Sequence, residues 1–297
     1  MDLQTQHGTS TTSTGALLMI NSYKFLFLFM IAIGLESLNL QALQAQSIFP
    51  DKNLEKVVRR YVFAKRNNEE PLTEQDVENI SSIEGNASGI TDLTGLDKCR
   101  SLALLSLSGN EITDITSIKD LKGIQSLNLA DNQITDVSAV AGLTNLQYLK
   151  LSGNQITDIA PLKALVALRS LYLADNQLTD LTPIAEHKKL WSLYLSGNKL
   201  NSLDQIAGLT RVSSLDLRGN EITDLAPLKG YTELKYLFIN DNKVTDLAVL
   251  VEMAKADNEG QKRFSPFWKI YLAGNPLSDG VKAQVETLKS LGARITE

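Results

Sequence analysis

Few residues of this chain have the types and spacing that catalysis requires. Cys99 is the only cysteine among 297 residues, and His187 is one of two histidines. A thiol nucleophile needs an activating neighbour such as a base, and no histidine lies near Cys99 in the sequence. Three serines recur at a fixed interval: Ser170, Ser192 and Ser214. No histidine accompanies them to complete a triad, so the sequence predicts a protein that is not an enzyme.

An aspartate recurs in Thr-Asp pairs along most of the chain, and a row of carboxylates is one way to bind calcium. These residues are Asp92, Asp114, Asp136, Asp158, Asp180, Asp224 and Asp246. The alternative is structural, because an aspartate before a short helical turn accepts backbone N–H bonds. Pro161, Pro183 and Pro227 follow at the spacing that such turns favour. We therefore predict caps, no metal site and no cofactor.

The spacing of these aspartates is part of a longer period. Asparagines recur every 22 residues from Asn110 to Asn242, and one step of 33 leads to Asn275. Each is preceded by L-x-x-L-x-L-x-x, as at Leu102, Leu105 and Leu107, which is typical of a short strand with one buried face. A single turn cannot bury so many apolar side chains, so neighbouring turns must stack. The asparagines are expected to bond backbone groups of the turn after each strand.

These features resemble the leucine-rich repeat family in its 22-residue class, and most of all bacterial internalin-type domains. The motif is seen in "NEITDLAPL", residues 220–228, and the resemblance covers about residues 46–297. It implies an α/β solenoid shaped as a horseshoe, with a parallel concave sheet and short 3₁₀ turns on the convex side. It also implies protein recognition on the concave face. No LPxTG-like sorting motif is found, so cell-wall attachment does not carry over.

The ends of a solenoid must cover its terminal core. Apolar residues near the N-terminus share one helical face: Leu54, Val57, Val58, Tyr61 and Val62. A second amphipathic pattern follows the repeats: Val281, Val285, Leu288 and Leu291. We predict an N-terminal helical cap at 46–87, repeats at 88–275 and a C-terminal cap at 276–297. The extra residues at 253–266 predict a longer, solvated outer segment.

Residues 1–45 have the pattern of an export leader. Lys24 precedes an 11-residue apolar run, 25–35, and Ala45 offers a small residue for cleavage, with translation beginning at Met1 or Met19. The run is too short to span a bilayer comfortably. The alternatives are an uncleaved anchor and an apolar helix with no targeting role. We predict a secreted, periplasmic or cell-surface protein with no stable membrane span after cleavage.

The outward strand positions carry more tyrosines than chance or strand propensity explains. Five of the eight tyrosines fall there. Tyrosine buries area at interfaces while its hydroxyl stays hydrogen-bonded. We predict ten partner-binding residues: Tyr148, Lys150, Tyr172, Trp191, Tyr194, Asp216, Arg218, Tyr236, Phe238 and Tyr271. Trp268 also precedes a strand and is expected to rim the same face.

The sequence therefore predicts a secreted, non-catalytic protein that binds another protein through its concave face. One alternative is an intracellular regulator similar to the leucine-rich regulatory subunit of protein phosphatase 1. Others are glycan binding on the same aromatic face and a stable scaffold with an idle face. Nucleic acid is not expected as a partner, because the net charge is −5 and no basic block occurs.

Overall fold

The computed structural model of the protein describes residues 46–297, of which Ile48–Glu297 form one compact unit. The predicted leader, residues 1–45, lies outside the described residues. Within residues 46–297, ten strands form one parallel sheet in sequence order. The strands are β1 (Ser82–Glu84), β2 (Leu104–Ser106), β3 (Ser126–Asn128), β4 (Tyr148–Lys150), β5 (Ser170–Tyr172), β6 (Ser192–Tyr194), β7 (Ser214–Asp216), β8 (Tyr236–Phe238), β9 (Lys269–Tyr271) and β10 (Arg294–Thr296).

Short 3₁₀ helices occupy the other side of most turns, which confirms the predicted leucine-rich repeat solenoid. They are Leu96–Lys98, Thr116–Ile118, Ser138–Val140, Ala160–Ala164, Thr182–Ile184, Asp204–Ile206, Ala226–Gly230 and Ser265–Phe267. The α-helices are α1 (Lys52–Arg59), α2 (Glu74–Val77), α3 (Ala248–Glu259) and α4 (Val281–Ser290). None of the helices in residues 46–297 has the length and apolarity needed to cross a bilayer.

The register of the sheet follows from the period of the sequence. Leu149, Leu171 and Leu193 are paired across β4, β5 and β6, and all three are fully buried. Since successive side chains of a strand point to opposite faces, the residues on either side of each leucine point outward. Equivalent outward residues of neighbouring turns are therefore stacked side by side, about 4.8 Å apart.

The repeated asparagine joins neighbouring turns. Asn154 is buried, and its Oδ1 accepts the backbone N–H of Ile134 at 3.0 Å. Its Nδ2 donates to the carbonyl oxygens of Leu129 and Leu151, at 3.0 and 2.9 Å. The predicted bond to the turn after its own strand is thus confirmed. The bonds to the preceding turn were not predicted, and they satisfy backbone groups that burial would otherwise leave unpaired.

The repeated aspartates accept a backbone N–H at or just before the start of the helical turns on the outer side, as predicted. Asp114 Oδ1 accepts the backbone N–H of Thr116 at 2.8 Å, and the same contact recurs along the chain. It is made by Asp92, Asp136, Asp158, Asp180, Asp224 and Asp246. The Thr116 hydroxyl and backbone N–H hold the pKa of Asp114 below its usual value. No cluster of His, Cys, Asp and Glu within residues 46–297 could hold a metal ion.

Cys99 and His187 are core residues, as the sequence predicted. Both side chains are fully buried, and burial raises the pKa of the Cys99 thiol to about 12. His187 Nε2 donates to the carbonyl oxygen of Leu162 at 3.1 Å. Tyr231 occupies the same position two periods later, and its hydroxyl donates to Ile206 at 2.8 Å. Polar residues in this leucine row therefore bond a carbonyl of the preceding turn.

One carboxylate, that of Asp51, joins the N-terminal cap to the first turn, alongside bonds made by Asn53 and Tyr61. Asp51 Oδ1 accepts the backbone N–H of Leu54 at 3.0 Å and so caps α1. Its Oδ2 accepts the backbone N–H groups of Thr91 and Asp92, at 2.8 and 3.1 Å. The prediction that Tyr61 shares the buried face of this helix is wrong. The helix ends at Arg59, and Tyr61 is 40% exposed.

The C-terminal region departs from the predicted pattern in two ways. Helix α3 replaces a 3₁₀ turn, which accounts for the longer outer segment. Asp257 at its end is buried rather than solvated, because its carboxylate accepts N–H bonds from three residues of the following loop. Helix α4 buries Val285 and Leu288 as predicted, but β10 then pairs with β9 and extends the sheet. That last strand was not predicted.

Candidate protein-binding face

The outward face of β4–β9 brings together most of the predicted partner-binding residues. We call this surface the aromatic face and define it by the outward residues of these strands and Arg218. Its backbone is rigid, because each strand is paired on both sides and anchored by a fully buried central residue. Side chains on such a frame are presented in fixed positions, which lowers the entropy lost on binding.

Three tyrosines form the first aromatic cluster. The ring centroids of Tyr148 and Tyr172 are 5.3 Å apart, with the planes tilted by 44°. Those of Tyr172 and Tyr194 are 4.7 Å apart, with an interplanar angle of 19°. Burial raises the pKa of Tyr148 and of Tyr172, so both phenols stay protonated at neutral pH. The cluster therefore offers ring edges and neutral hydroxyls to a ligand.

A second cluster lies on β8 and β9 and carries two cations. Phe238 and Tyr271 stack with centroids 4.6 Å apart and an interplanar angle of 11°. The guanidinium of Arg218 lies 5.3 Å from the centre of the Phe238 ring. Lys269 Nζ lies 5.2 Å from the centre of the Tyr236 ring. Lys269 was not among the predicted binding residues, although it occupies an outward strand position.

Asp216 lies between the two clusters but is not available to a partner. Only 1% of it is exposed. Its carboxylate accepts bonds from Arg218 Nε at 2.9 Å and from a second guanidinium nitrogen at 2.6 Å. This bidentate pair raises the pKa of Arg218 and fixes the guanidinium on the face. The expectation that Asp216 contacts a partner directly therefore does not hold, and it positions Arg218 instead.

The two tryptophans have opposite environments. Trp191, immediately before β6, is 45% exposed beside the aromatic face. Trp268, immediately before β9, is fully buried and packs edge-on against Phe264, with ring centroids 5.0 Å apart. The expectation that Trp268 rims the face is wrong. Phe264 belongs to the longer turn, which no other repeat contains, so the repeat pattern gave no sign of this packing.

The comparisons with known proteins agree with this architecture. The family model of leucine-rich repeats in two copies matches residues 100–142, 122–164, 144–186 and 210–252. The crystal structure of internalin C2 from Listeria monocytogenes is 30% identical in sequence, with a TM-score of 0.66. That match covers 78% of this chain and 95% of the internalin C2 chain. The chain belongs to the internalin-like leucine-rich repeat family.

Other leucine-rich repeat structures share the fold alone. The functional domain of InlJ from Listeria monocytogenes is 23% identical with a TM-score of 0.59, over 82% of this chain and 55% of that one. A plant peptide hormone receptor, RGFR1, solved in complex with RGF2, is 21% identical with a TM-score of 0.51. That match covers 67% of this chain and 31% of the receptor. A search of curated proteins gave no match.

Chemically, the face of this leucine-rich repeat protein is suited to non-covalent recognition. The hydroxyl of Tyr194 lies 3.0 Å from Ser214 Oγ, and small side chains such as Ser170 and Ser192 leave the tyrosine edges accessible. Aromatic rings with fixed cations beside them combine apolar area with charge, which is the usual composition of an interface hot spot.

Proposed function

We propose that this internalin-like protein is a non-catalytic binding protein that holds another protein on its aromatic face. The observation that supports this most strongly is the pair of aromatic clusters, one on β4–β6 and the other on β8–β9. Arg218, held by Asp216, lies between them. Interfaces concentrate binding energy in tyrosine, tryptophan and arginine residues that are held rigidly at their centre.

A protein partner fits the face better than a glycan. Sugars stack on the flat face of an aromatic ring. Here the faces of Tyr172 and Tyr194 cover one another at 4.7 Å, and those of Phe238 and Tyr271 do so at 4.6 Å. Stacking thus takes one face of each of these rings away from a sugar, while the ring edges and hydroxyls suit the mixed polar and apolar surface of a protein.

Export to the cell surface or beyond is part of the proposal. It is supported by the leader pattern in residues 1–45. Mass spectrometry of the exported protein is expected to show an N-terminus near residue 46. Exported material that retains residues 25–35 would contradict cleavage, and a protein found only inside the cell would favour the intracellular regulator.

The binding test begins with capture of a partner from surface extracts, followed by calorimetric titration of the purified partner. Tyr194→Ala and Tyr172→Ala are each expected to weaken binding by about 2 kcal/mol or more, the range typical of hot-spot tyrosines. Ser106→Ala and Asn128→Ala, at the polar end of the same row, are expected to change it little.

Two controls locate the interface. Tyr61→Ala removes an exposed tyrosine from the N-terminal cap and is expected to leave binding unchanged. Lys163→Glu reverses a charge in the 3₁₀ helix Ala160–Ala164, on the opposite side of the turn. Loss of binding in Lys163→Glu, with wild-type binding in Tyr172→Ala and Tyr194→Ala, would place recognition on the convex side and refute the proposal.

A further inference from the structure

A groove beside the aromatic face has a composition that the proposed function does not use. It lies at the N-terminal ends of β5–β7 and has a volume of about 520 Å³. We call it the Trp191 groove; its lining residues are Arg169, Ser170, Lys189, Trp191 and Arg211. Trp191 is 45% exposed there, although a tryptophan side chain usually buries most of its apolar surface.

The repeat period assembles this groove from residues that are distant in sequence. Arg169 and Trp191 are 22 residues apart, and so are Lys189 and Arg211. Each pair therefore occupies equivalent places in adjacent turns, as the pairing of Ser170 with Ser192 shows. Three cations and one indole converge on a small area, although only Trp191 had been singled out from the sequence.

The three cations of the groove have no anionic partner. Within residues 46–297, neither Arg169, Lys189 nor Arg211 has a carboxylate within 4.0 Å, and no acidic residue lines the groove. Arg218 and Arg263, by contrast, are paired with Asp216 and Glu233. Like charges in one concavity repel each other and attract anions. The groove therefore has an unbalanced positive charge, which favours an anionic ligand.

We propose that the Trp191 groove binds a short acidic segment of a protein partner. Carboxylates would take bidentate hydrogen bonds from the two guanidinium groups, while an apolar side chain of the segment covers Trp191. This inference rests on the proposed function, because Ser170 lies both in the groove and on the aromatic face. A protein held on that face reaches the groove without leaving the surface.

A long polyanion such as a sulfated glycan or nucleic acid fits less well than a short acidic segment. The turns that follow β3, β5 and β8 carry exposed aspartates: Asp131, Asp175 and Asp241. The chain as a whole has a net charge of −5. These aspartates lie at the C-terminal ends of the strands, across the aromatic face from the groove. An extended polyanion that crosses the face would therefore meet repulsion, whereas a segment with a few carboxylates would stay within the groove.

The test uses the fluorescence of Trp191 and needs no natural partner. The chain has two tryptophans, and the other, Trp268, is fully buried. The probe is a blocked synthetic peptide of Glu, Asp and Leu, titrated at low ionic strength. Its control peptide carries Gln and Asn in place of the acids. We expect the acidic peptide to change the fluorescence saturably, the amide peptide to have no effect, and added salt to weaken binding.

Variants of the full chain identify the residues responsible. Arg169→Gln and Arg211→Gln are each expected to weaken peptide binding about tenfold, the loss expected for a charge-assisted hydrogen bond. Lys189→Gln is expected to weaken it less than either arginine change. Its matched control is Lys199→Gln, which removes another exposed lysine without an ion pair, from the turn after β6. That control is expected to bind like the wild type.

Three results would overturn the inference. The amide peptide could bind as well as the acidic one, or Arg169→Gln and Arg211→Gln could bind the acidic peptide like the wild type. A heparin oligosaccharide could saturate the signal while the acidic peptide does not, which would make the groove a glycan site. If the acidic peptide does not bind, the proposal that the aromatic face binds a protein is still tested separately by the tyrosine variants. Conversely, peptide binding that depends on Arg169 and Arg211 would survive a negative result with Tyr172→Ala and Tyr194→Ala.

Discussion

At the scale of single residues, the repeat tolerates polar side chains in its core where a backbone carbonyl is available to them. His187 replaces a leucine that is present one turn earlier and one turn later, at Leu165 and Leu209. Its ring bonds the Leu162 carbonyl, and burial lowers the pKa of His187 below the ordinary 6.5. The imidazole is therefore neutral in the folded protein.

This burial makes stability depend on pH in a defined window. Below pH 6.5 the unfolded chain binds a proton at His187 that the folded chain does not, so the free energy of unfolding falls as pH falls toward the lowered pKa. His187→Leu removes this dependence. Urea melts at pH 7 and pH 5.5 are expected to show an extra loss on the order of 1 kcal/mol in the wild type only. Equal losses in both proteins would show that His187 is protonated when folded.

A second prediction at this scale concerns the alternation along one strand. Leu171 is fully buried, and Ser170 beside it points outward. Leu171→Ala is expected to lower the free energy of unfolding by about 2–5 kcal/mol, because it leaves a cavity in a packed core. Ser170→Ala is expected to cost little in the same denaturant melts. Similar losses for the two variants would reverse the assignment of the strand faces.

At the scale of elements, the stability of each turn depends on its neighbour. The strands have three residues each and the 3₁₀ helices three to five, so neither is stable alone. The repeated asparagines connect neighbouring turns. The side-chain oxygen of each accepts a backbone N–H of the preceding turn, and its NH₂ group donates to carbonyls of its own turn and of the preceding one. Asn154, for example, satisfies Ile134 of the preceding turn and Leu151 of its own.

Removal of one such asparagine is expected to be costly. Asn154→Ala leaves the buried N–H of Ile134 without an acceptor and removes one of the two amide donors from the carbonyls of Leu129 and Leu151. It is expected to lower the free energy of unfolding by about 2 kcal/mol or more. Asn240→Ala provides the control, since that asparagine is at an outward position after β8. It is expected to behave like the wild type in denaturant melts. Equal stability of the two variants would show that the repeated asparagines do not stabilise the contact between neighbouring turns.

At the scale of the whole molecule, stability in a stacked array is a sum of turn and interface contributions, so the ends are the places where unfolding begins. Helix α4 and β10 cover the C-terminal end, and α1 covers the other. Asp51 fixes α1 to the first turn through Thr91 and Asp92.

Loss of Asp51 is therefore expected to loosen one end of the array. Asp51→Ala removes a helix cap and the bonds to the first turn, and should lower stability by about 1–2 kcal/mol. Hydrogen exchange is expected to accelerate in α1 and β1 while β5–β7 keep their protection. Asp120→Ala, an exposed aspartate without an ion pair, is the control. Uniform acceleration across all strands would indicate that the array unfolds as one unit.

Much of this architecture was predictable because the period itself encodes it. The distance between asparagines sets the turn length, the leucines define the inward face, and equivalent residues must then stack. This reasoning identified the aspartate caps and the tyrosine row. It missed β10, because Arg294–Thr296 is a short, largely exposed strand without the leucine motif, which gains its place only by pairing with β9.

The sequence by itself determined the fold and which positions of each turn point outward, since both follow from local periodicity. Only the tertiary structure decided which of those side chains are accessible. Asp216 is hidden because Arg218, two residues away, folds back over it as a bidentate partner. Trp191 stays exposed while Trp268 is buried, because only Trp268 has Phe264 from the longer turn packed against it. Accessibility depends on such contacts between side chains, which are specific to one turn and therefore leave no trace in the repeat.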